Sequence, residues 1–144
     1  MDIDTTAPAF SRKEIIINAP VEKVWQIQTD IEHWNKWQPD ITSAKLEGVL
    51  EAGTIFRWKA KGLNIVSTLH TVKPHTQIGW SGLSLGMLAI HNWMFEARGE
   101  TTHVITEESL SGWLTRLMIF FNPRFLESSL EASLKNLKFK AENN

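Results

Sequence analysis

His91 and Glu108 are the two residues whose types and spacing could support acid–base chemistry. They flank the dipeptide Gly99-Glu100, which favours a two-residue hairpin with glycine at its first central position. In that register His91 lies directly opposite Glu108 on the neighbouring strand. A carboxylate beside an imidazole holds its tautomer and raises its basicity, so the pair could serve as a general base for proton abstraction or for an aldol-type cyclisation. The alternatives are a structural polar pair, or a Glu108 that reaches solvent at the end of its strand.

Other kinds of chemistry have less support in the sequence. No cysteine is present, which excludes disulfides, thiolate nucleophiles and thiolate metal ligands. The five histidines form no H-x-H or H-E-x-x-H pair. The glycines of "IGWSGLSLGML" lack the strand-to-helix context of a phosphate loop, and no G-x-S-x-G nucleophile elbow occurs. We therefore predict neither a metal site nor a cofactor.

The length and the charge of the chain narrow its class. A chain of 144 residues fits a single domain with a sizeable core. Its 15 basic and 16 acidic residues leave a net charge of -1 without a basic stripe, which argues against a nucleic acid partner. Residues 113–122 are largely apolar, but this run is about half as long as a membrane-spanning helix and contains Arg116 near its middle. We therefore expect no membrane span.

The first residues, MDIDTTAPAF, lack the basic start and the hydrophobic centre of a signal peptide. We interpret residues 1–12 as a flexible N-terminal leader and residues 13–141 as a single domain. Together with the absence of cysteine, this favours a cytoplasmic location.

The hydrophobic pattern changes twice along the chain. Residues 13–18, "KEIIIN", are typical of a strand, and "APVEKVWQIQTDIEHWNKW" predicts one or two short helices with Pro20 at the start. Residues 41–110 alternate between apolar and polar side chains and are interrupted by turn residues, which predicts a meander of six strands. After Gly112 a helical pattern returns and runs to about residue 141, with Pro123 marking a kink or a break. This order predicts an α+β fold in which a curved antiparallel sheet holds one long helix.

Three segments of the sequence carry a family resemblance. "APVEKVWQIQTDIEHWNKWQPDI", "GTIFRW" and "HNWMFEARGETTHVITEESLSG", followed by a long C-terminal helix, resemble the polyketide cyclase/dehydrase and lipid-transport branch of the START-like (SRPBCC) superfamily. The resemblance covers residues 13–141. It implies a helix-grip fold, with a seven-stranded antiparallel sheet wrapped around the C-terminal helix and two short helices after the first strand. It also implies a cavity between the sheet and that helix.

Two further hairpins can be registered from their turns, Gly62-Leu63 and "KPHT". The pairs predicted in this way are Ala60 with Ile65, Trp58 with Ser67, Leu69 with Trp80 and Thr71 with Ile78. Together with the hairpin at Gly99-Glu100, these turns place one set of alternating residues on a common inner face of the sheet.

This inner face is rich in bulky aromatic residues and carries few polar groups, as an apolar ligand pocket requires. The alternative is a packed core beneath the helix. Our predicted ligand-binding residues are Phe56, Trp58, Ser67, Leu69, Ile78, Trp80, His91, Trp93, Phe95, Thr106 and Glu108 of this face, with Leu117 and Phe121 of the following apolar run.

The apolar run over residues 113–121 covers too much of a helix circumference for a helix with one wet face. It could line the mouth of the cavity, pack on two sides as a buried helix, or form a contact in a homodimer. Pro123 directly after it indicates that it is a separate first section of the C-terminal helix.

Three functions are compatible with the sequence. The first is the binding of a hydrophobic or aromatic small molecule, lipid-like or polyketide-like, in the cavity. The second is a cyclase/dehydrase-type enzyme with His91 as general base, Glu108 as its orienting group, and Ser67 or Thr106 as a hydrogen-bond donor to a developing enolate. The third is a protein–protein interaction module that docks through residues 113–121.

Overall fold

A computed structural model describes residues 1–143, which contain a seven-stranded antiparallel sheet and four helical segments. The strands are β1 (Ala9–Ile17), β2 (Ile41–Leu46), β3 (Ile55–Ala60), β4 (Leu63–Lys73), β5 (Gln77–Ser84), β6 (Met87–Arg98) and β7 (Thr101–Ser111). The helices are α1 (Val21–Thr29), a 3₁₀ helix (Ile31–Lys36), α2 (Trp113–Phe121) and α3 (Phe125–Glu142). The strands lie side by side in the order β1-β7-β6-β5-β4-β3-β2. The predicted sheet, the two short helices after its first strand and the long C-terminal helix are therefore confirmed.

Helix α3 crosses one face of the sheet and packs mainly against β1 at the edge. Its buried residues repeat every three or four positions, which is the spacing of one helix face; they are Leu126, Leu130, Leu134, Leu137 and Ala141. The last three belong to the main core, whereas the first two form a smaller cluster with Leu110 of β7. Each buried leucine contributes about 1.5–3 kcal/mol through the burial of apolar surface.

The β6–β7 hairpin has the register that the sequence predicts. His91 pairs with Glu108, and Trp93 pairs with Thr106. The turn between these strands contains Gly99 at a φ of 63°, a backbone conformation that favours glycine.

The β3–β4 hairpin differs from the prediction by two residues. Its turn is Lys61-Gly62, so Ala60 pairs with Leu63 and not with Ile65. Lys61 and Gly62 have φ values of 51° and 79°, the two left-handed residues that a type I′ turn needs. The pairing of Trp58 with Ser67 was therefore also wrong. Because side chains alternate with a period of two, a shift of two residues left every side chain on the face predicted for it.

The β4–β5 hairpin contains an irregularity that the sequence did not reveal. Leu69 pairs with Trp80 as predicted, but the register then shifts, and Thr71 lies opposite Gly79 instead of Ile78. The shift is a β-bulge around His70, where one strand carries an extra residue.

The N-terminal boundary was placed too late in the sequence. Strand β1 begins at Ala9, where it pairs with Leu110 of β7, so the leader predicted over residues 1–12 is wrong from that residue onward. The residues before it also contact the sheet, because the Asp4 amide donates a hydrogen bond to Ser109 Oγ at 3.0 Å. Alternation along an exposed edge strand leaves few apolar residues, which explains why the pattern was not recognised.

Pro123 separates the two C-terminal helices completely. Helix α2 ends at Phe121 and α3 begins at Phe125, so the helix is interrupted here and not merely kinked. At its other end α2 starts after Gly112, whose φ is 104°. The Leu114 amide donates a hydrogen bond of 3.0 Å to the carbonyl oxygen of Gly86, which attaches α2 to the β5–β6 hairpin.

We predict that Gly112→Ala destabilises the protein more than Gly62→Ala. Both glycines have a positive φ, and alanine costs about 1–2 kcal/mol in backbone strain at Gly62 and about 1–3 kcal/mol at Gly112, whose φ of 104° and ψ of 170° suit essentially only glycine. Only at Gly112 would the new methyl group also collide with the carbonyl oxygen of Gly86 and separate α2 from the hairpin. Urea denaturation should show the larger fall in the free energy of unfolding for Gly112→Ala. Equal losses for the two variants would show that this close approach does not hold α2 in place.

Candidate functional site

A cavity of about 390 Å³ lies between the sheet, α2 and the first half of α3. Its helical wall includes four small or polar residues of α3 at intervals of three, one and three positions: Ser129, Ala132, Ser133 and Asn136. These form a second stripe of the helix beside the leucine stripe described above. Because their side chains are short, α3 does not fill the space over the middle of the sheet.

His91 lies on the cavity wall between two indole rings. Its ring centroid is 4.9 Å from that of Trp80 and 5.6 Å from that of Trp93. Its Nε2 atom is 2.9 Å from the hydroxyl oxygen of Thr106, and that hydroxyl donates to the backbone carbonyl of Asn92 at 3.2 Å. The hydroxyl hydrogen is thus already used, so His91 donates from Nε2 and carries a free lone pair on Nδ1.

Glu108 stands beside that free nitrogen, with its Oε2 atom 3.6 Å from His91 Nδ1. Burial lowers the pKa of His91 to about 3. Burial also raises the pKa of Glu108 to about 8, although the charge of Lys61 opposes this shift. Both groups are therefore predominantly uncharged at neutral pH, because a low-dielectric site disfavours either charged form. The expected increase in the basicity of His91 does not occur, since desolvation outweighs the neighbouring carboxyl group.

Two further polar atoms on residues of the wall have no hydrogen-bond partner among the described residues. They are Nε1 of Trp93 and Oε1 of Gln28, and their side chains are 2% and 1% exposed. By contrast, Nε1 of Trp58 donates to Ser67 Oγ at 3.0 Å. Gln28 was not predicted from the sequence. Its position on the same helical stripe as the buried Val21 and Val24 could have revealed it as an inward-facing polar group.

The residues predicted to bind a ligand divide into three groups. On the cavity wall lie Trp58, Ser67, Trp80, His91, Trp93 and Glu108. In the packed interior, away from the wall, lie Phe56, Leu69, Ile78, Phe95 and Thr106. On the outer side of α2, exposed to solvent, lie Leu117 and Phe121.

The interior group is covered by indole rings from the short helices. Trp34 of the 3₁₀ helix packs edge-on against Phe56, with ring centroids 5.6 Å apart. Trp25 of α1 packs in the same way against Phe95 at 5.4 Å. These contacts fill one end of the inner face, so the cavity occupies only the other end. The prediction that Phe56 and Phe95 line the cavity was therefore wrong. The alternation along a strand does not show which helix residues will cover its side chains.

Helix α2 has a cavity side and an outer side. Leu114 and Met118 line the cavity. The outer side presents Leu117, Phe120 and Phe121, which are 47%, 79% and 77% exposed. The prediction that Leu117 and Phe121 lie on the cavity side of α2 was thus wrong. A helix that is apolar on all sides has no periodic pattern to show which side is buried. Docking of a partner or a second copy on this outer side stays a prediction.

Within residues 1–143, no three His, Cys, Asp or Glu residues lie close enough together to hold a metal ion. In the same range, no helix has both the length and the apolar composition to cross a membrane.

The sheet, the gripped C-terminal helix and the cavity between them define a START-like helix-grip domain. The sequence matches the polyketide cyclase/dehydrase and lipid transport family over residues 10–142, and the chain belongs to that family. A search of curated proteins found no match.

Solved structures with this fold include three that are informative. A hypothetical protein from Helicobacter pylori has 19% identity and a TM-score of 0.85, with 96% of this chain and 91% of that chain covered. The Zhui aromatase/cyclase from Streptomyces sp. R1128 has 14% identity and a TM-score of 0.80, with 93% of each chain covered. A START superfamily protein from Mycobacterium smegmatis has 15% identity and a TM-score of 0.75, with 93% and 97% covered. At these identities the similarity establishes the fold alone.

The raised pKa of Glu108 predicts that stability falls as the pH rises from 6.5 to 8. The folded protein keeps the proton up to about pH 8, whereas the unfolded chain loses it near pH 4.5, so the stabilising contribution of the protonated group disappears across this interval. The lowered pKa of His91 affects the free energy of unfolding only below pH 6.5, where protonation of the imidazole favours the unfolded chain. Between pH 6.5 and 8 the free energy of unfolding should fall by up to about 2 kcal/mol.

Urea denaturation at several pH values tests this expectation. Glu108→Gln, which cannot ionise, should flatten the pH dependence between 6.5 and 8. Glu107→Gln on the opposite face of the same strand should retain it, because Glu108 is still present. The same slope in wild type and Glu108→Gln would contradict the assignment.

Proposed function

We propose that this protein binds a hydrophobic or aromatic small molecule, lipid-like or polyketide-like, in the cavity between the sheet and α3. The observation that carries this proposal is a cavity of about 390 Å³ with indole rings on its wall and a few convergent polar groups. That volume lies within the range of small-molecule sites, which are mostly apolar and use a small number of polar groups to orient the ligand. Membership of a family described as polyketide cyclase/dehydrase and lipid transport supports the same class of ligand.

The physical basis of affinity in such a site is the burial of apolar surface. Removal of apolar area from water contributes about 25 cal/mol per Å², before the costs of association and ordering are subtracted. Trp58 is the partly exposed indole of the wall, whereas Trp80 and Trp93 are only 3% and 2% exposed and hold the wall rigid.

Native mass spectrometry of the freshly purified protein, compared with its denatured mass, should reveal a retained ligand. Ser133→Phe should remove the retained mass, because the larger ring would project from α3 into the cavity. Ser128→Phe is the matched control, since Ser128 lies on the exposed side of the same helix. Absence of extra mass in the wild type, together with no binding from a panel of apolar and aromatic compounds, would contradict the proposal.

A second candidate function is a cyclase/dehydrase-type reaction, and Glu108 is the observation that favours it. A carboxyl group with a pKa of about 8 can both donate and accept a proton near neutral pH, which is the condition for general acid–base catalysis. His91, with a pKa of about 3, is a weak base by comparison. The roles suggested by the sequence would then be exchanged, with Glu108 transferring the proton and His91 positioning it.

Turnover measurements with candidate polyketone substrates distinguish this enzyme from a simple binder. Glu108→Gln should lower the rate by about 100-fold or more if proton transfer by this carboxyl group is required. Glu107→Gln, which changes the neighbouring residue on the outer face, should leave the rate within a few-fold of wild type. A rate that Glu108→Gln does not alter would exclude this mechanism.

A further inference from the structure

The outer side of α2 and the tip of the β5–β6 hairpin form one exposed apolar surface. Trp113, Leu117 and Phe120 follow one another at intervals of four and three residues, so they lie on one stripe of the helix. Phe121 lies beside this stripe, with its ring centroid 5.3 Å from that of Phe120. Leu85 continues the surface, because the indole ring of Trp113 lies against the next residue of the hairpin turn. We call these five residues the α2 surface.

The α2 surface is large for a protein that meets only water. Trp113 is 60% exposed and Leu85 is 69% exposed, and the other three residues have the exposures given above. Because one aromatic side chain presents about 150–250 Å², the apolar area of the α2 surface is on the order of 600 Å². Apolar patches of this size or more are typical of contacts with proteins or with membranes.

The only charged residues in the two segments that carry the α2 surface are arginines. Residues 81–90 and 109–126 contain Arg116 and Arg124 but no Asp, Glu or Lys. Arg116 is exposed and lies next to the stripe, three residues after its first member and four before its last. Its side chain has no ion pair or hydrogen bond within residues 1–143.

Two acidic residues near the ends of α2 and β7 already have partners. Glu127 accepts a hydrogen bond of 3.0 Å from Arg124, and the Asp4 carboxylate accepts from the amide and the hydroxyl of Thr6 at 2.9 and 2.6 Å. Glu108, on the cavity side, is predominantly uncharged at neutral pH. The α2 surface is therefore apolar with one uncompensated positive charge, although the chain as a whole has a net charge of -1.

We propose that the α2 surface docks on a membrane that contains anionic lipids, with α2 lying in the plane of the interface. A helix of nine residues is about 13 Å long, which is less than half of the hydrocarbon thickness, so it rests in the membrane surface and does not cross it. Aromatic rings favour the boundary between headgroups and acyl chains. The guanidinium of Arg116 would meet the lipid phosphates directly above these rings.

A second copy of this chain fits the same surface less well. A two-fold symmetric dimer brings the same patch of both copies together, so two Arg116 side chains would enter one interface. Since the two segments contain no acidic residue, neither arginine would find a counter-charge there. A bilayer supplies anionic phosphates and an apolar layer together, which matches both properties of the α2 surface.

The opposite side of α2 connects this surface to the cavity. Leu114 and Met118 line the cavity, so a docked α2 would place the cavity about one helix diameter from the bilayer. A hydrophobic ligand could then pass between membrane and cavity across a short distance. The docking itself needs no ligand, so this inference does not rest on the proposed binding function, and each of the two can fail alone.

Flotation of the purified protein with lipid vesicles tests the inference. The probes are vesicles of phosphatidylcholine alone and vesicles of phosphatidylcholine and phosphatidylglycerol at a ratio of two to one. We expect the wild type to float with the mixed vesicles and to bind them about fivefold more tightly than phosphatidylcholine alone. No binding to either vesicle, or equal binding to both, would overturn the proposal.

Two pairs of variants assign the binding to the α2 surface. The double variant Phe120→Ser, Phe121→Ser should weaken binding to the mixed vesicles at least tenfold, because it removes two inserted rings. Phe139→Ser is its control, since Phe139 is 72% exposed but lies near the end of α3. Arg116→Gln should remove the preference for the mixed vesicles. Lys45→Gln, which removes one charge from an exposed position of β2, should retain it.

Two further measurements locate the contact. Vesicles with brominated acyl chains should quench part of the tryptophan fluorescence, and Trp113→Phe should abolish that quenching. Thermal denaturation verifies that each variant is folded. Binding of the double variant equal to that of Phe139→Ser, or quenching that persists in Trp113→Phe, would contradict the assignment. A dimer in light scattering that the double variant dissociates, without vesicle binding by the wild type, would assign the surface to a second copy instead.

Discussion

The leucine stripe of α3 is the contact on which the cavity depends. Leu134 and Leu137 join the main core, and Leu126 and Leu130 pack with Leu110 of β7, so the helix is fixed along the β1 edge of the sheet. A helix anchored at one edge presents its adjacent stripe to the middle of the sheet. That stripe consists of short side chains, and the space above strands β4 to β6 is consequently not filled by the helix. The same contact therefore both stabilises the fold and leaves room for the cavity.

Trp34 is the boundary between the packed core and the cavity. Its ring contacts Phe56 on the core side and Trp58 and Trp80 on the cavity side, with centroid distances between 5.4 and 5.6 Å. Aromatic rings in such edge-on and tilted arrangements pack densely and exclude water. His91 lies on the cavity side of Trp34, between the rings of Trp80 and Trp93, where desolvation keeps it neutral. The electrostatic character of the site thus follows from the packing of the indole rings.

The sequence was informative where local rules determine structure. The hairpin at Gly99-Glu100 fixed the pairing of His91 with Glu108, because a two-residue turn allows one register. The sequence was uninformative where contacts between distant segments determine which side chains are covered. Nothing in the strand pattern indicates that Trp25 and Trp34 cover Phe95 and Phe56, and an all-round apolar helix cannot show which side of α2 meets the cavity. The protonation of the central pair likewise depends on burial, which spacing alone does not report.

Among the described residues, four buried side-chain polar atoms have no hydrogen-bond partner; those of Gln28 and Trp93 belong to residues of the cavity wall, and those of His70 and Asn92 do not. If the inner face served only for packing, an apolar residue at the position of Gln28 would be more stable, because an unsatisfied buried amide costs about 1–3 kcal/mol. The same holds for Glu108, whose side chain is only 16% exposed and whose carboxyl group keeps its proton near neutral pH, where a leucine would need no proton to be neutral. Local rules of stability are broken mainly at functional sites. Gln28, Glu108 and Trp93 depart from these rules on residues of one cavity wall, which supports the proposal that a ligand binds there.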